Sequence, residues 1–240
     1  RPPRSTPSNS SAASDVYKRQ GYTGREIIKL LLNHPAVTIT GLSADPSFQG
    51  KDIQEVFPEL TGRLHLPITS VNDSTITSAD CIFLSLPHKV SMQIIKEIYR
   101  PGQKIIDLSA DFRFDQIGVY QQWYGTTHSA QELNSEFVYG LPELNREQIK
   151  VSNLIANPGC YPTSIILALA PALKYGLINP QEIICDAKTG VTGGGRKAIL
   201  GFIFPEVNEN LKAYKVNQHQ HAPEINQELS KLAQEEVSII

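Results

Sequence analysis

From Cys81 to Leu108 the chain reads CIFLSLPHKVSMQIIKEIYRPGQKIIDL, and this stretch decides the fold. Cys81 to Leu86 is an apolar run of strand length, the pattern of a strand covered on both faces of a parallel sheet. Val90 to Tyr99 follows with its apolar residues at helical spacing, Pro101-Gly102 turns the chain, and Lys104 to Leu108 is a second buried strand. Parallel strands need a crossover that returns the chain to the same end of the sheet, so this order reads as a βαβ unit.

The alternation extends in both directions. Upstream, Arg25 to Asn33 places Ile27, Ile28, Leu30, Leu31 and Leu32 on one broad helical face and ends at Asn33-His34-Pro35, as helices before proline do. Val37 to Leu42 is the next strand, and 43–70 is rich in turns. Downstream, Leu154 to Ala156 is a short strand running into Asn157-Pro158-Gly159-Cys160. A helix over Pro162 to Tyr175, a strand over Ile183 to Ala187 and a glycine-rich loop over 188–197 follow. The predicted class is α/β: a Rossmann-like doubly wound parallel sheet plus an incomplete α+β catalytic and dimerisation domain. The expected division is a non-native or disordered leader over 1–20, a dinucleotide-binding domain over 21–152, and a catalytic substrate domain over 153–240.

Composition narrows the function. With 240 residues, 40% of them apolar, the chain can bury a real core, and a net charge of -2 offers no basic field for nucleic acid or anionic lipid. Neither partner is expected. Cys81, Cys160 and Cys185 are too few and too scattered for a disulfide framework or a zinc site, so no metal is expected. No apolar run approaches the ~18 residues of a membrane span. The cytoplasm is the expected location, with the plastid as the alternative if the Ser-, Pro- and Arg-rich residues 1–20 act as a transit peptide.

Cys160 is the sharpest chemical feature, because it follows a Pro-Gly turn at the mouth of a helix. Helix N-terminal N–H groups and the macrodipole favour the thiolate, the competent form of the nucleophile. Cys81 and Cys185 lie inside apolar runs and read as small core residues. His219-Gln220-His221 supplies a proton-transfer partner, and alternation along an extended segment lets only one of the two rings face the sulfur. Gly21-Tyr22-Thr23-Gly24, opening a helix, suits a phosphate-binding turn. Ser43 and Lys51 follow the second strand, where such folds meet the adenosine ribose; no acidic residue ends that strand, and the nearby cation leans toward NADP. Ser85-Leu86-Pro87-His88 and Ser109 to Arg113 end successive strands on the ligand-binding edge. Arg113 suits a bidentate contact with phosphate or carboxylate, or a pair with Asp111 or Asp115. The loop Gly190 to Lys197 is a second cradle of backbone donors, with Arg196 and Lys197 attached.

Several of these strings occur together in one family. Leu86-Pro87-His88, Ser109 to Arg113, Tyr139 to Arg146, Asn157 to Thr163, Phe204 to Asn210 and His219 to Ile225 resemble the N-acetyl-gamma-glutamyl-phosphate reductases, in order from Gly21 to about residue 229. The resemblance implies a nucleophilic Cys160, with His219 as its acid/base. It also implies Arg113, Arg196 and His221 on an anionic acyl-phosphate substrate, and an NADP site lined by Gly21 to Gly24 and Ser85 to His88. The implied reaction is NADPH-dependent reduction of the acyl phosphate to a semialdehyde through a thioester, in arginine biosynthesis, by a homo-oligomer. A homologous acyl phosphate, aminoadipyl or aspartyl, is the alternative substrate, and a non-catalytic fragment the alternative role. The family begins with an apolar strand and a glycine ahead of Gly21, where this chain has Ser14 to Gln20. About a quarter of the protein is expected beyond Val237 to Ile240, which reads as a strand cut short. Without those parts the chain is expected to bind NADPH poorly and to turn over little.

Overall fold

Cys81–Leu84 and Lys104–Asp107 pair in parallel across one helix, as the βαβ reading requires. The computed structural model describes residues 8–9, 21–196 and 198–240. In chain order its elements begin with β1 (Ser8–Asn9), α1 (Tyr22–Leu32), β2 (Val37–Thr38), β3 (Leu42–Ser43), α2 (Ile53–Val56), β4 (Ile68–Thr69) and α3 (Ser74–Thr77). Next come β5 (Cys81–Leu84), α4 (Ser91–Ile98), β6 (Lys104–Asp107), α5 (Ile117–Tyr124), α6 (Gln131–Asn134), β7 (Phe137–Tyr139), α7 (Pro142–Val151) and β8 (Leu154–Ala156). The last helices are α8 (Cys160–Lys174), α9 (Phe204–Val207) and α10 (Ala222–Ala233).

The main sheet runs β5-β6-β8-β7, all parallel. Its register sets Leu84 beside Asp107, Asp107 beside Ala156, and Ala156 beside Tyr139. The strands therefore end level, and the segments that follow β5, β6 and β8 emerge at one edge. Ile82, Leu84, Ile105 and Leu154 are buried and pack with Met92, Ile95 and Ile98 of α4, and with Phe112, Phe114, Tyr120 and Tyr124 from the β6-to-α5 region. The smaller parallel pairs β3-β4 and β1-β2 complete the α/β architecture. A second core joins α8 to α10 through Ile166, Leu173, Ile225 and Leu229. Spacings of seven residues on α8 and four on α10 keep each pair on one helical face.

Four expectations need correction. Leu30 is 71% exposed, so the buried stripe of α1 is Ile28 and Leu31 rather than the broad face read from the apolar run. Val37 to Leu42 divides into β2 and β3, with Ile39 buried between them, because each half pairs with a different neighbour. Ile183 to Ala187 makes no strand. It holds one bridge, Ile183 to Ile239, and Cys185 N–H donates to the Ile240 carbonyl at 2.7 Å, so the segment lacks the ladder that defines a strand. Val237 to Ile240 shares that bridge and is likewise no strand. The leader assigned to 1–20 lies outside the described residues except for Ser8–Asn9, and Lys197 lies outside them too. The main sheet continues past position 152 to Ala156.

Candidate active site

Cys160 is the first residue of α8 and is exposed. Gly159 before it is extended, with φ -65° and ψ 159°, and no side chain caps the helix, so the first-turn amides keep their hydrogen-bonding capacity. Pro162 has no N–H to leave unpaired in that turn. The other cysteines differ in kind. Burial pushes the Cys81 thiol up to about 11, and raises the Cys185 thiol as well. Neither is suited to be a nucleophile at neutral pH.

Beneath the Cys160 turn lies a buried ion pair that the sequence reading did not include. Arg113 Nη1 donates to Glu224 Oε2 at 3.1 Å, with the side chains 3% and 0% exposed. Arg113 also donates through Nε to the Asn157 carbonyl and through Nη2 to the Leu108 carbonyl, each at 2.7 Å. The guanidinium thus ties the end of β6 to the end of β8. It pairs with neither Asp111 nor Asp115, and three of its five N–H donors are engaged within the protein. The other Glu224 oxygen accepts from Tyr139 Oη at 2.8 Å and from the Gly159 N–H at 2.9 Å. A sequence signal for Glu224 exists: it shares the buried stripe of α10 with Ile225 and Leu229, where a carboxylate needs a partner.

The imidazoles stand just before α10. Their ring centroids are 4.8 Å apart, and both meet the Tyr161 ring edge-on or nearly so, at 5.0 Å for His219 and 6.1 Å for His221. His219 Nδ1 accepts the His221 backbone N–H at 3.1 Å, and Nε2 lies 3.3 Å from Tyr214 Oη, so both ring nitrogens have partners. His221 packs against the nucleophile's turn: a Cβ built on Gly159 would lie 2.7 Å from His221 Nε2 and 3.0 Å from Arg113 Nη1. Only glycine leaves room there. Among the described residues, the buried His221 Nδ1 has no hydrogen-bond partner. Burial, and then the Arg113 charge, push its pKa down to about 3; burial, and then Lys215, lower that of His219. A cavity of about 420 Å³ opens beside them, walled by Tyr161, Tyr214, His219, His221 and Ile239 among others, and carrying Lys188, Lys212 and Lys215. Lys188 is ion-paired with Asp186 on the same wall.

The expected dinucleotide residues fall mostly along the other elements. Gly21 and Gly24 are buried at the start of α1, which has no side-chain cap, and Tyr22 and Thr23 lie between them. This leaves first-turn N–H groups for an anion, so the turn fits a pyrophosphate. Ser43 ends β3 and is buried, while Lys51 is exposed over the Phe48 ring at 5.3 Å. Ser85, Leu86, Pro87 and His88 follow β5 at the common sheet edge, and His88 Nδ1 accepts the Ala110 N–H at 2.9 Å. Arg196 lies at the glycine turn: its guanidinium carbon is 5.7 Å from the Tyr22 ring and 5.8 Å from the Phe57 ring. Among the described residues no cluster of His, Cys, Asp or Glu could hold a metal ion, and no helix is long and apolar enough to cross a membrane.

Comparison with known proteins agrees with this architecture. Residues 19–152 match the family model for the semialdehyde dehydrogenase NAD binding domain, and 160–240 match that for the semialdehyde dehydrogenase dimerisation domain. A protein of Desulfotalea psychrophila named N-acetyl-gamma-glutamyl-phosphate reductase is 50% identical over 91% of this chain, which spans 63% of that relative. An Arabidopsis thaliana protein, named as the probable chloroplastic form of that reductase, is 47% identical over 91% of this chain and 54% of its own length. Among solved structures, aspartate semialdehyde dehydrogenase II from Vibrio cholerae superposes with a TM-score of 0.63 at 16% identity, covering 96% of this chain and 68% of the other. The Candida albicans aspartate semialdehyde dehydrogenase with NADP gives 0.62 at 16%, covering 93% and 60%.

Proposed function

This chain belongs to the semialdehyde dehydrogenase family, and on that premise we propose that it carries the nucleophilic centre of an NADPH-dependent N-acetyl-gamma-glutamyl-phosphate reductase acting in arginine biosynthesis. The observation that carries the reading is the exposed Cys160 at the start of α8, preceded by a Gly159 that abuts His221, one of an imidazole pair that walls a cavity of about 420 Å³. In the proposed reaction the Cys160 thiolate attacks the acyl carbon, the C–S bond forms, and the C–O bond to phosphate breaks to release inorganic phosphate. NADPH supplies hydride at this centre when bound, held by Gly21 to Gly24, Ser43, Lys51 and Ser85 to His88. The imidazole pair then manages the proton of the thiohemiacetal oxygen. As the C–S bond breaks, the semialdehyde leaves and the thiolate is restored.

The geometry favours His221 as the proton carrier, since its ring abuts the Cys160 turn while both nitrogens of His219 are engaged. Lys212 and Lys215 hold the anionic substrate, while the Lys188 charge is offset by Asp186. Arg113 acts beneath the turn, and Arg196 acts at the glycine turn of the cofactor side. The proposed division places cofactor binding in 21–152 and catalysis in 153–240, with homo-oligomers formed through the latter and the cytoplasm or plastid as the site of action. The test is phosphate-dependent semialdehyde oxidation in a protein that carries this chain in full. Cys160→Ser is expected to lower kcat by about a thousandfold or more, and His221→Gln by more than His219→Gln. A Cys160→Ser protein with parental turnover would overturn the assignment.

A further inference from the structure

Glu224 contributes nothing to the wall of the cavity, yet its carboxylate is the most completely enclosed charge near Cys160. Its donors come from three separate parts of the chain: Arg113 after β6, Tyr139 at the end of β7, and the Gly159 amide after β8. It stands three residues after His221, in the first turn of α10. One side chain therefore joins the residue preceding the thiol to the helix that the imidazoles precede. A structural ion pair would need only Arg113. The bond to the Gly159 amide is the part that fixes chemistry, because that amide is one peptide unit from the Cys160 Cα.

We propose that Glu224 is the positioning residue of this centre: by holding the Gly159 N–H it sets the reach of the Cys160 thiol toward His221 and the cavity. The proposal rests on Cys160 being the nucleophile, as argued above. Charge-assisted bonds from a buried carboxylate are stronger than neutral ones and tolerate little displacement. Losing the carboxylate frees the Pro158-Gly159 peptide to rotate, and the backbone that leads directly into Cys160 loses its anchor. The turn has little slack otherwise, since His221 and Arg113 already occupy the space around Gly159.

The experiment is alkylation by iodoacetamide of a protein that carries this chain in full, with Cys81, Cys160 and Cys185 followed separately by peptide mass spectrometry and expressed per native molecule. Glu224→Gln leaves one neutral acceptor for three donors and sets an amide N–H against either Arg113 or the Gly159 N–H; it is expected to slow modification of Cys160 about tenfold, with Cys81 and Cys185 unchanged. A purely structural role predicts the opposite pattern, because loosening of the fold would further expose the half-buried Cys81 and Cys185 and speed all three. Should Glu224→Gln not fold, the double variant Arg113→Met with Glu224→Leu removes both charges, so that no buried charge is left unpaired. It too is expected to slow Cys160 alone. Parental alkylation of Cys160 in a folded variant, or faster alkylation at all three cysteines, would overturn the proposal. No substrate is involved, so a positive result alongside absent phosphate-dependent turnover in the same protein that carries this chain in full would refute the proposed reaction and leave the role of Glu224 standing.

Discussion

Strands β6 and β8 lie side by side, end level, and finish in different ways. The chain leaving β6 closes into a knot of local acids. Asp107 accepts from Ser91 Oγ at 2.5 Å and from Ser109 Oγ at 2.7 Å, while Asp111 accepts from the Lys89 N–H at 2.8 Å, the Met92 N–H at 3.1 Å and Tyr120 Oη at 2.8 Å. The chain leaving β8 holds no acid of its own, and its amide at Gly159 is satisfied by Glu224, 65 residues further on. A strand end with local acids is locked within its own unit. A strand end whose acid is imported can place an exposed thiol at the edge, and its geometry depends on the helix that brings the acid. The β6 end is thus a matter of stability and the β8 end a coupling between two parts of the molecule.

The largest effect that would sharpen this contrast is expected from Arg113→Met. It leaves the Glu224 charge buried and unpaired, which costs about 3–5 kcal/mol, measured as the loss of unfolding free energy in urea. A loss below about 1 kcal/mol would mean that the β8 end needs no imported charge pair, and the comparison would fail.

Acidification should separate the two ends by sign. His221 is held down to about 3 by burial and the Arg113 charge, below its ordinary 6.5. Between those values the unfolded chain takes a proton that the folded chain refuses, so stability falls as pH drops through the window. Asp107 is pushed up to about 6 by burial and by the nearby Asp111 charge, above its ordinary 3.8. Between 3.8 and about 6 the folded chain keeps a proton that the unfolded chain releases, so this contribution is lost as pH rises. In urea titrations from about pH 7 to about pH 4, His221→Gln should make the acid loss of stability shallower, and Asp107→Asn should make it steeper. Matching slopes in both variants would show that the ends do not differ electrostatically.

What the sequence reveals of this molecule follows from where each interaction is stored. The βαβ stretch is legible because a buried parallel strand writes itself as an uninterrupted apolar run, and Cys160 is legible because the Pro-Gly turn and the helix after it are contiguous. The Arg113–Glu224 pair is not, because its members are 111 residues apart and no local pattern joins them. Arg113 stood out as a cation on a ligand-binding edge, yet burial against a remote carboxylate directs it inward. Ile183 to Ala187 fails as a strand for a related reason. Apolar residues make a segment suitable for a sheet, but a neighbouring backbone must supply the ladder, and here only Ile239 and Ile240 do so. Arg196 likewise sits where a loop spanning two units carries it, against Tyr22 and Phe57.

The smallest effect tests whether the two ends are independent. Ser109 Oγ donates to Asp107 at 2.7 Å and accepts the Asp111 N–H at 3.0 Å, so it relays between the two acids of the β6 knot. Ser109→Ala deletes that relay without changing charge and is expected to cost about 1 kcal/mol of unfolding free energy. It also removes a hydrogen bond that lowers the Asp107 pKa, so the proton on that carboxyl should persist to higher pH. Nothing in the relay touches Gly159 or Glu224, and alkylation of Cys160 should therefore proceed at the parental rate. A changed Cys160 rate in this variant would show that the knot after β6 reaches across the sheet edge to the thiol, and that local and imported acids act as one network.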